Sequence, residues 1–203
     1  MLLLPFHHVG YPFTYMRVGV IAVQGDFEKH KQALLRTETA GLEVLEVRTP
    51  EELATVERAI LPGGESTTVG LLMQRYGLGN ALIQAGQDGM PLWGTCMGMI
   101  MLASGIEDRE QYSLGLLDIT VKRNAFGAQV HSFEDEVTVQ GLDEPVMGVF
   151  IRAPIVTRIG QDAEVLCEYE GKVVGVRQGK IIGTSFHPEL TDDIRLHQFF
   201  LTL

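Results

Sequence analysis

The residue best suited to do chemistry in this sequence is a cysteine between two glycines, in the segment Gly94-Thr-Cys-Met-Gly98. A short apolar run precedes it and a run that is apolar on all sides follows it, which is typical of a buried strand turning into a buried helix. Such a turn around a nucleophile is a nucleophile elbow. The glycines leave room for the turn, and the free N–H groups of the helix start favour a thiolate at Cys96. On this segment alone, a buried structural thiol is an equal alternative.

A cysteine nucleophile needs a base, and His187 is the best candidate among the six histidines. It directly follows a strongly apolar strand-like segment, and Glu189 lies two positions on. Pro188 favours an extended backbone at His187, and residues two apart in an extended segment point to the same side. We therefore predict that Glu189 holds the far ring nitrogen of His187 and completes a Cys–His–Glu triad. Without Cys96, a surface turn histidine would be the preferred interpretation.

The glycine loop, residues 62–66 (Pro-Gly-Gly-Glu-Ser), also follows an apolar strand-like run. Glycine lets backbone N–H groups approach a ligand, so the N–H groups of Gly64 and Met97 are candidates for an oxyanion hole. A plain turn is the alternative. Arg123 and Arg152 each end a strand-like run, and each could bind a substrate carboxylate or be a solvated surface arginine.

A sheet must bring these segments together, and the first half of the chain alternates strand-like with helix-like segments. Strands are predicted at 17–23, 42–47 and 59–61, and helices at 26–40, 50–56, 67–76 and 78–86. This alternation predicts a parallel sheet with helices on both faces. Because ligands bind at the carboxyl ends of such strands, we expect the three segments above to converge on one site.

The second half of the chain reads mostly as strands. These are predicted at 116–122, 136–139, 146–151, 155–158, 164–169, 172–178 and 180–185, before a closing helix at 192–201. Residues 170–171 and 178–179 have hairpin-turn composition, which predicts antiparallel pairing. The expected fold class is therefore α/β, a three-layer sandwich with a mostly parallel central sheet and antiparallel additions in the C-terminal half.

Composition excludes several function classes. The chain has 203 residues, a net charge of −10 and no basic run, which argues against a nucleic acid or an anionic membrane as partner. No metal-ligand spacing occurs, and no apolar run reaches the roughly 18 residues that span a bilayer. Two cysteines form no disulfide framework and indicate a reducing, cytoplasmic location. Residues 1–15 carry no charge and lack signal-peptide features, so we expect an extension ahead of a single domain at 16–203.

Six segments, in chain order, closely resemble the glutaminase subunit of pyridoxal 5′-phosphate synthase, the PdxT family. They are Gln24-Gly-Asp26, Leu61-Pro-Gly-Gly-Glu-Ser-Thr67, Gly94-Thr-Cys-Met-Gly-Met99, Arg123-Asn-Ala-Phe-Gly127, Phe150-Ile-Arg-Ala-Pro154 and Ser185-Phe-His-Pro-Glu-Leu190. The cysteine and His-Pro-Glu motifs indicate a class I glutamine amidotransferase. The second and fifth segments single out this subunit.

The resemblance implies a fold of the class I glutamine amidotransferase kind and a glutaminase with Cys96 as nucleophile and His187 and Glu189 completing the triad. It also implies a set of residues lining the glutamine site: Gly64, Glu65, Ser66, Arg123, Ile151 and Arg152. Hydrolysis of L-glutamine through a cysteine thioester needs no metal and no organic cofactor. The family passes the ammonia to a synthase subunit of the PdxS type in a hetero-oligomeric complex, for vitamin B6 biosynthesis.

The sequence departs from the family at Met97, where alanine is usual, and at Ala128, where arginine is usual. Two alternatives to the glutaminase stay open at this point. One is a cysteine hydrolase of the DJ-1/PfpI kind, against which the His-Pro-Glu segment and the glycine loop argue. The other is a catalytically silent regulatory module of the same fold, against which the intact Cys, His and Glu set argues.

Overall fold

The computed structural model describes residues 15–107, 110–126 and 132–203. The first half of the chain forms β1 (Met16–Ile21), α1 (Phe27–Leu35), β2 (Leu42–Val47), α2 (Pro50–Leu53), β3 (Arg58–Leu61), α3 (Ser66–Arg75), α4 (Leu78–Gln87), β4 (Leu92–Thr95), α5 (Met97–Leu102) and β5 (Ala103–Ile106). The second half forms β6 (Leu117–Lys122), β7 (Ser132–Val137), β8 (Val146–Ile151), β9 (Ile155–Ile159), β10 (Glu164–Tyr169), β11 (Lys172–Gln178), β12 (Ile181–Thr184), a short 3₁₀ helix (Pro188–Leu190) and α6 (Arg195–Leu201).

One large mixed sheet carries the fold. Strands β2, β1, β3, β4 and β12 lie side by side and run parallel. Beyond β12 the sheet continues antiparallel through β11, β9 and β6, and β5 closes the edge parallel to β6. Strand β10 pairs antiparallel with β11, and β7 and β8 form a separate antiparallel pair. The predicted parallel sheet with antiparallel additions is confirmed.

Side chains alternate across this sheet between two cores. Along β3, Ala59 and Leu61 pack on one side, and Ile60 packs on the other. Helices α3, α4 and α5 cover the first side, whereas α1 and α6 cover the second with residues such as Leu34 and Phe200. Alternate side chains of each strand thus point to opposite faces of the sheet, and a layer of helices packs on each face. The result is the three-layer sandwich.

Several boundaries differ from the predicted ones, and local hydrogen bonds explain the clearest case. The predicted helix at 26–40 ends at Leu35, because the Thr37 hydroxyl donates to the Leu34 carbonyl oxygen at 2.7 Å and competes with the helical ladder. Glu38 then has a left-handed φ of 52°. The buried helix predicted after Cys96 ends at Leu102, and the next residue, Ala103, begins strand β5, which sequence patterning missed.

The strands that position the site are the central parallel ones. The carboxyl ends of β1, β3, β4 and β12 lie at one edge of the sheet, because these strands are neighbours with the same direction. Residues 24–26, the glycine loop, Cys96 and His187 follow these strand ends and therefore lie at that edge.

Among the described residues, no helix is long and apolar enough to cross a membrane. Of the predicted extension at residues 1–15, only Tyr15 is among the described residues. Ala128 also lies outside the described residues.

Candidate active site

Cys96 stands at a sharp turn between β4 and α5. Its backbone angles, φ 50° and ψ −103°, are in a region that residues with a side chain rarely adopt. Its N–H donates to the carbonyl oxygen of Thr184 at 2.7 Å, so strand β12 holds the turn in place. Backbone strain of this kind persists where the surrounding structure imposes it, which is common at functional sites. The predicted sharp turn from strand to helix is therefore present at Cys96, the candidate nucleophile.

The two flanking glycines make this turn sterically possible. A Cβ built on Gly94 would lie 2.3 Å from the carbonyl carbon of Gly98. One built on Gly98 would lie 2.0 Å from the carbonyl oxygen of Leu61 in β3. Both distances are far below van der Waals contact, and both neighbours are backbone atoms that cannot rotate away. The expectation that these glycines leave room for the turn is confirmed.

His187 and Glu189 meet behind the nucleophile. Nδ1 of His187 lies 2.8 Å from Oε1 of Glu189, and both side chains are buried. Their backbone differs from the predicted extended segment, because Pro188–Leu190 forms a turn of 3₁₀ helix. His187 itself is non-helical, with φ −108° and ψ 85°, as the following proline requires. The pairing is as predicted, whereas the geometry that produces it is a tight turn.

The protonated imidazole of His187 and the carboxylate of Glu189 stabilise each other. Burial lowers the pKa of His187, but its hydrogen bonds and charge interactions with Cys96 and Glu189 outweigh burial and raise that pKa to about 10. Burial alone would raise the pKa of Glu189, yet electrostatic interaction with the imidazoles of His30 and His187 and the hydrogen bond from His187 hold it below the ordinary value. A carboxylate behind the imidazole favours the protonated ring, as in other triads.

The glycine loop packs against both the triad and α5. A Cβ on Gly63 would lie 2.3 Å from Cε1 of His187, and one on Gly64 would lie 3.3 Å from Cε of Met97. Neither the N–H of Gly64 nor that of Met97 has a hydrogen-bond partner among the described residues. Two unpaired N–H groups beside a nucleophile match the requirement of an oxyanion hole.

A cleft of about 780 Å³ opens above Cys96. All the expected substrate-site residues line it, together with the candidate nucleophile and its candidate base: Gly64, Glu65, Ser66, Cys96, Met97, Arg123, Ile151, Arg152 and His187. Glu189 lies behind His187 and does not line the cleft. The structure therefore brings together segments that are far apart in sequence.

Two of the expected binding residues hold particular positions. The carbonyl oxygen of Ile151 lies 3.8 Å from Sγ of Cys96, so a backbone acceptor faces the nucleophile. The next residue, Arg152, has a left-handed φ of 47°. This is a second strained backbone position at the cleft.

Glu65 has a role that the sequence did not reveal. Its carboxylate accepts hydrogen bonds from the N–H groups of Thr67 at 3.1 Å and Thr68 at 2.8 Å, and so caps the start of α3. Hydrogen bonds from Thr68, then from Thr67, lower the pKa of Glu65 to about 2. The carboxylate is therefore engaged in the helix start, and the predicted start of this helix at 67 hid its capping position.

Glutamine side chains connect the walls of the cleft, and sequence reasoning missed these contacts. Oε1 of Gln24 accepts the N–H of Glu65 at 2.9 Å. Oε1 of Gln111 accepts from Nη1 of Arg123 at 3.1 Å and from the hydroxyl of Ser66 at 3.3 Å. Gln24 begins one of the family-like segments, which was a usable signal, whereas Gln111 belongs to none of them.

His30 is the other residue that sequence reasoning missed. It lies on the buried face of α1 with Ala33 and Leu34, which made it look like part of a core helix. In the structure, its Nε2 lies 3.3 Å from Oε2 of Glu189, and its Nδ1 lies 3.0 Å from Nε2 of His197. A histidine on the apolar face of a helix was the available signal.

The second thiol is remote from the cleft. Cys167 lies in β10, is 3% exposed, and packs in the second core. Burial raises the pKa of Cys167 to about 12. A thiol in this environment is inert at neutral pH.

The chain is similar to known glutamine amidotransferases in sequence and in structure. A family model described as the SNO glutamine amidotransferase family matches residues 20–203. A pyridoxal 5′-phosphate synthase subunit PdxT from Roseiflexus sp. (strain RS-1) is 50% identical over 192 residues, covering 93% of this chain and 100% of that relative. The PdxT subunit of Desulforudis audaxviator (strain MP104C) is 49% identical over 187 residues, covering 92% of this chain and 97% of the relative.

Solved structures agree. A crystal structure described as a glutamine amidotransferase superposes with a TM-score of 0.86 at 49% identity, covering 91% of this chain and 97% of that one. The structure of PurLQS from Thermotoga maritima superposes with a TM-score of 0.68 at 20% identity, covering 93% of this chain and 98% of that one. The second likeness concerns the fold alone.

Proposed function

The chain belongs to the SNO glutamine amidotransferase family, and we propose that Cys96, His187 and Glu189 carry out its hydrolysis of glutamine. It is a glutaminase that converts L-glutamine to L-glutamate and ammonia and supplies the ammonia for pyridoxal 5′-phosphate (vitamin B6) biosynthesis. One observation carries the assignment of the catalytic residues. His187 lines the same cleft as Cys96, its pKa is raised by that thiol and by Glu189, and its Nδ1 lies 2.8 Å from a buried carboxylate oxygen of Glu189.

The first half of the reaction breaks the amide bond. The thiolate of Cys96 attacks the side-chain carboxamide carbon, and the N–H groups of Gly64 and Met97 stabilise the resulting oxyanion. His187 then donates its Nε2 proton to the leaving nitrogen, which departs as ammonia when the C–N bond breaks. A γ-glutamyl thioester remains on Cys96.

The second half hydrolyses this thioester. His187, now neutral, removes a proton from a water molecule, and the hydroxide attacks the thioester carbon. The C–S bond breaks, glutamate leaves, and Cys96 and His187 return to their starting state. Throughout the cycle Glu189 stays ionised and accepts the Nδ1–H of His187, which fixes the ring and stabilises its charged form.

Glutamine recognition is assigned to the residues that line the cleft: Gly64, Glu65, Ser66, Arg123, Ile151 and Arg152. The Ile151 carbonyl oxygen, 3.8 Å from Sγ of Cys96, is placed to accept a hydrogen bond from the carboxamide NH₂ of the substrate. Glutamate has no donor at that position, so the same carbonyl would select against the product. The arginines supply cationic partners for the α-carboxylate.

The partner is proposed to be a synthase subunit of the PdxS type, in a hetero-oligomeric complex in the cytoplasm. The relatives' names, which call them synthase subunits, support a partnership. Two free cysteines, one of them the nucleophile, suit a reducing compartment. With a net charge of −10, the chain should dock on a basic face, and the association should weaken with salt. Residues 16–203 are proposed to act as one glutamine amidotransferase domain.

The two alternatives are less well supported. Family membership and the contact between His187 and Glu189 both argue against a hydrolase of the DJ-1/PfpI kind. A silent module would be favoured if Met97 disturbed the site, but its side chain is 3% exposed and packs in the core. Its backbone N–H remains at the start of α5, where the chemistry needs it.

The test is ammonia release from glutamine by the chain alone and with the synthase subunit, for the wild type, Cys96→Ala and the matched control Cys167→Ala. We expect low activity of the isolated chain, stimulation by the partner that falls at high salt, no activity of Cys96→Ala, and near-normal activity of Cys167→Ala. Full activity of Cys96→Ala would disprove the assignment of the nucleophile. Full activity of the isolated chain, unchanged by the partner, would disprove the partner dependence.

A further inference from the structure

We propose that His30 is a positioning residue for Glu189: a neutral imidazole whose Nε2–H faces the second carboxylate oxygen and fixes the carboxylate that orients His187. This inference rests on the proposed triad and extends it by one residue. His30 lies on α1, which sequence reasoning treated as a core helix.

Geometry places His30 at the back of the triad. Oε1 of Glu189 is taken by His187, and Oε2 has no well-aligned hydrogen bond among the described residues. Nε2 of His30 lies 3.3 Å from that Oε2 and 3.0 Å from the hydroxyl oxygen of Thr95, which is the better aligned of the two. His30 and His197 are 0% exposed and Glu189 is 2% exposed, so water cannot replace these contacts.

Counting protons selects one tautomer of His30. If the proton of His30 is on Nε2, this N–H points towards the hydroxyl oxygen of Thr95 and Oε2 of Glu189. Nδ1 of His30 then accepts from the Nε2–H of His197 at 3.0 Å. The atom then left without a partner is Nδ1 of His197, which carries only a lone pair and no proton. The opposite tautomer would direct the Nε2 lone pair of His30 at the carboxylate of Glu189 and leave a buried N–H unpaired on His197. A buried N–H without an acceptor is costly, so the first arrangement is favoured.

A neutral His30 suits the reaction better than a charged one. Burial, and then the charge of His187, lower the pKa of His30 against the opposing effects of Glu189 and Asp26. Burial, and to a smaller extent the nearby His30 imidazole and Arg36 guanidinium, lower the pKa of His197 well below its ordinary value. A second cation here would compete with the His187 imidazolium for Glu189 and repel it. A neutral N–H supports the carboxylate without that repulsion.

Helix α1 also reaches the opposite side of the site. The N–H of Asp26, just before the helix, donates to the carbonyl oxygen of Gly63 at 3.4 Å. The helix that carries His30 therefore contacts the glycine loop at its start and the triad carboxylate in its first turns. Holding Glu189 to α1 fixes the triad relative to the loop proposed to bind the oxyanion.

Core packing is the competing explanation for His30. Its ring contacts Trp93 edge-on, with centroids 5.6 Å apart, and an apolar residue of similar size would keep that packing. The two explanations separate in the variants. His30→Leu keeps bulk and loses the N–H, whereas His30→Gln keeps a terminal amide whose N–H can take the place of the Nε2–H.

The first test uses the wild-type chain and needs no activity. Long-range ¹H–¹⁵N correlations of the histidine rings report the protonated nitrogen directly. We expect neutral rings with the proton on Nε2 for both His30 and His197 at neutral pH. A proton on Nδ1 of His30, or a charged His30, would overturn the proposal whatever the variants show, including the case in which His30→Leu fails to fold.

The second test measures the pH dependence of Cys96 alkylation by iodoacetamide in the isolated chain, and of kcat and KM with the synthase subunit. His30→Leu loses a buried hydrogen bond to a charged group, so its kcat should be lower by roughly 10- to 100-fold. The acidic limb of its pH–activity profile should have a midpoint about one pH unit higher than in the wild type. KM should change little, because His30 does not touch substrate. His30→Gln should restore most of the wild-type profile, and His197→Leu, which does not touch Glu189, should shift it less than His30→Leu.

Equal losses for His30→Leu and His30→Gln without any shift of the limb would mean a packing role and would overturn the proposal. So would wild-type behaviour of His30→Leu. These results differ from a failure of the proposed triad itself. In that case Cys96→Ala would keep glutaminase activity, or Cys96 would not be the alkylated residue in the wild type.

Discussion

The turn at Cys96 and the strand at Cys167 place the same side chain in two different environments. Both thiols are largely buried, 9% and 3% exposed. Cys96 has a strained backbone, a cleft in front of it and a histidine–carboxylate pair behind it, with Nδ1 of His187 2.8 Å from Oε1 of Glu189. Cys167 is surrounded by apolar groups, and burial raises its pKa to about 12. Burial therefore does not decide reactivity; the polar groups that share the burial do.

The largest expected effect comes from making the surroundings of Cys96 more like those of Cys167. Glu189→Gln removes the charge that stabilises the His187 imidazolium and leaves the shape nearly unchanged. We expect kcat for glutamine hydrolysis with the synthase subunit to fall by roughly 10²- to 10⁴-fold, and by less than in Cys96→Ala. Steady-state kinetics of both variants measure this. Equal loss in the two would require Glu189 to do more than orient His187.

Glycine substitutions next to each thiol compare how the two regions are built. A Cβ on Gly98 would meet the backbone carbonyl oxygen of Leu61 at 2.0 Å, whereas one on Gly175 would meet Sγ of Cys167 at 2.3 Å. Gly98→Ala should therefore destabilise the fold by about 2–4 kcal/mol, with no side-chain change to relieve it. Gly175→Ala should be rescued in part by Cys167→Ala, which removes the sulfur. Urea unfolding of the single and double variants would show this, and a Gly175→Ala defect unaffected by Cys167→Ala would contradict it.

The smallest effects near neutral pH concern two pH windows of stability, which overlap between about pH 9 and 10. The pKa of His187 is raised to about 10 from 6.5, so its contribution is complete below pH 6.5 and is lost as pH rises through 10. The pKa of Cys167 is raised to about 12 from 9.0, so its contribution is lost between about pH 9 and 12. Urea unfolding from pH 6 to 11 should show the first loss reduced in His187→Gln and the second reduced in Cys167→Ala. A single common window, unchanged by either substitution, would contradict the separation.

The sequence predicted whatever local patterns encode. The apolar runs at 42–47, 146–151, 164–169 and 172–178 match strands β2, β8, β10 and β11 residue for residue. The glycines around Cys96 were recognised because a tight turn restricts side chains at known spacings. Helix α1 was predicted too long, because a threonine hydroxyl competing for a backbone carbonyl leaves apolar periodicity unchanged.

Contacts made across the fold escaped prediction. His30 and Glu189 are far apart in sequence, and only the stacking of α1 on the sheet brings them to 3.3 Å. The link from Gln111 to Arg123 also escaped prediction, because Gln111 lies between β5 and β6 in a segment with no motif. The pairing of His187 with Glu189 was predicted because the two residues are close in sequence, although the backbone between them turns rather than extends.

The most direct test of the central claim is to label the chain, together with its synthase subunit, with a glutamine-like diazoketone and to map the modified residue by peptide mass spectrometry. The account predicts one modified residue, Cys96, protection by glutamine, and no modification of Cys167 at neutral pH. Modification of Cys167 in place of Cys96, or modification of Cys96 that glutamine does not prevent, would contradict it.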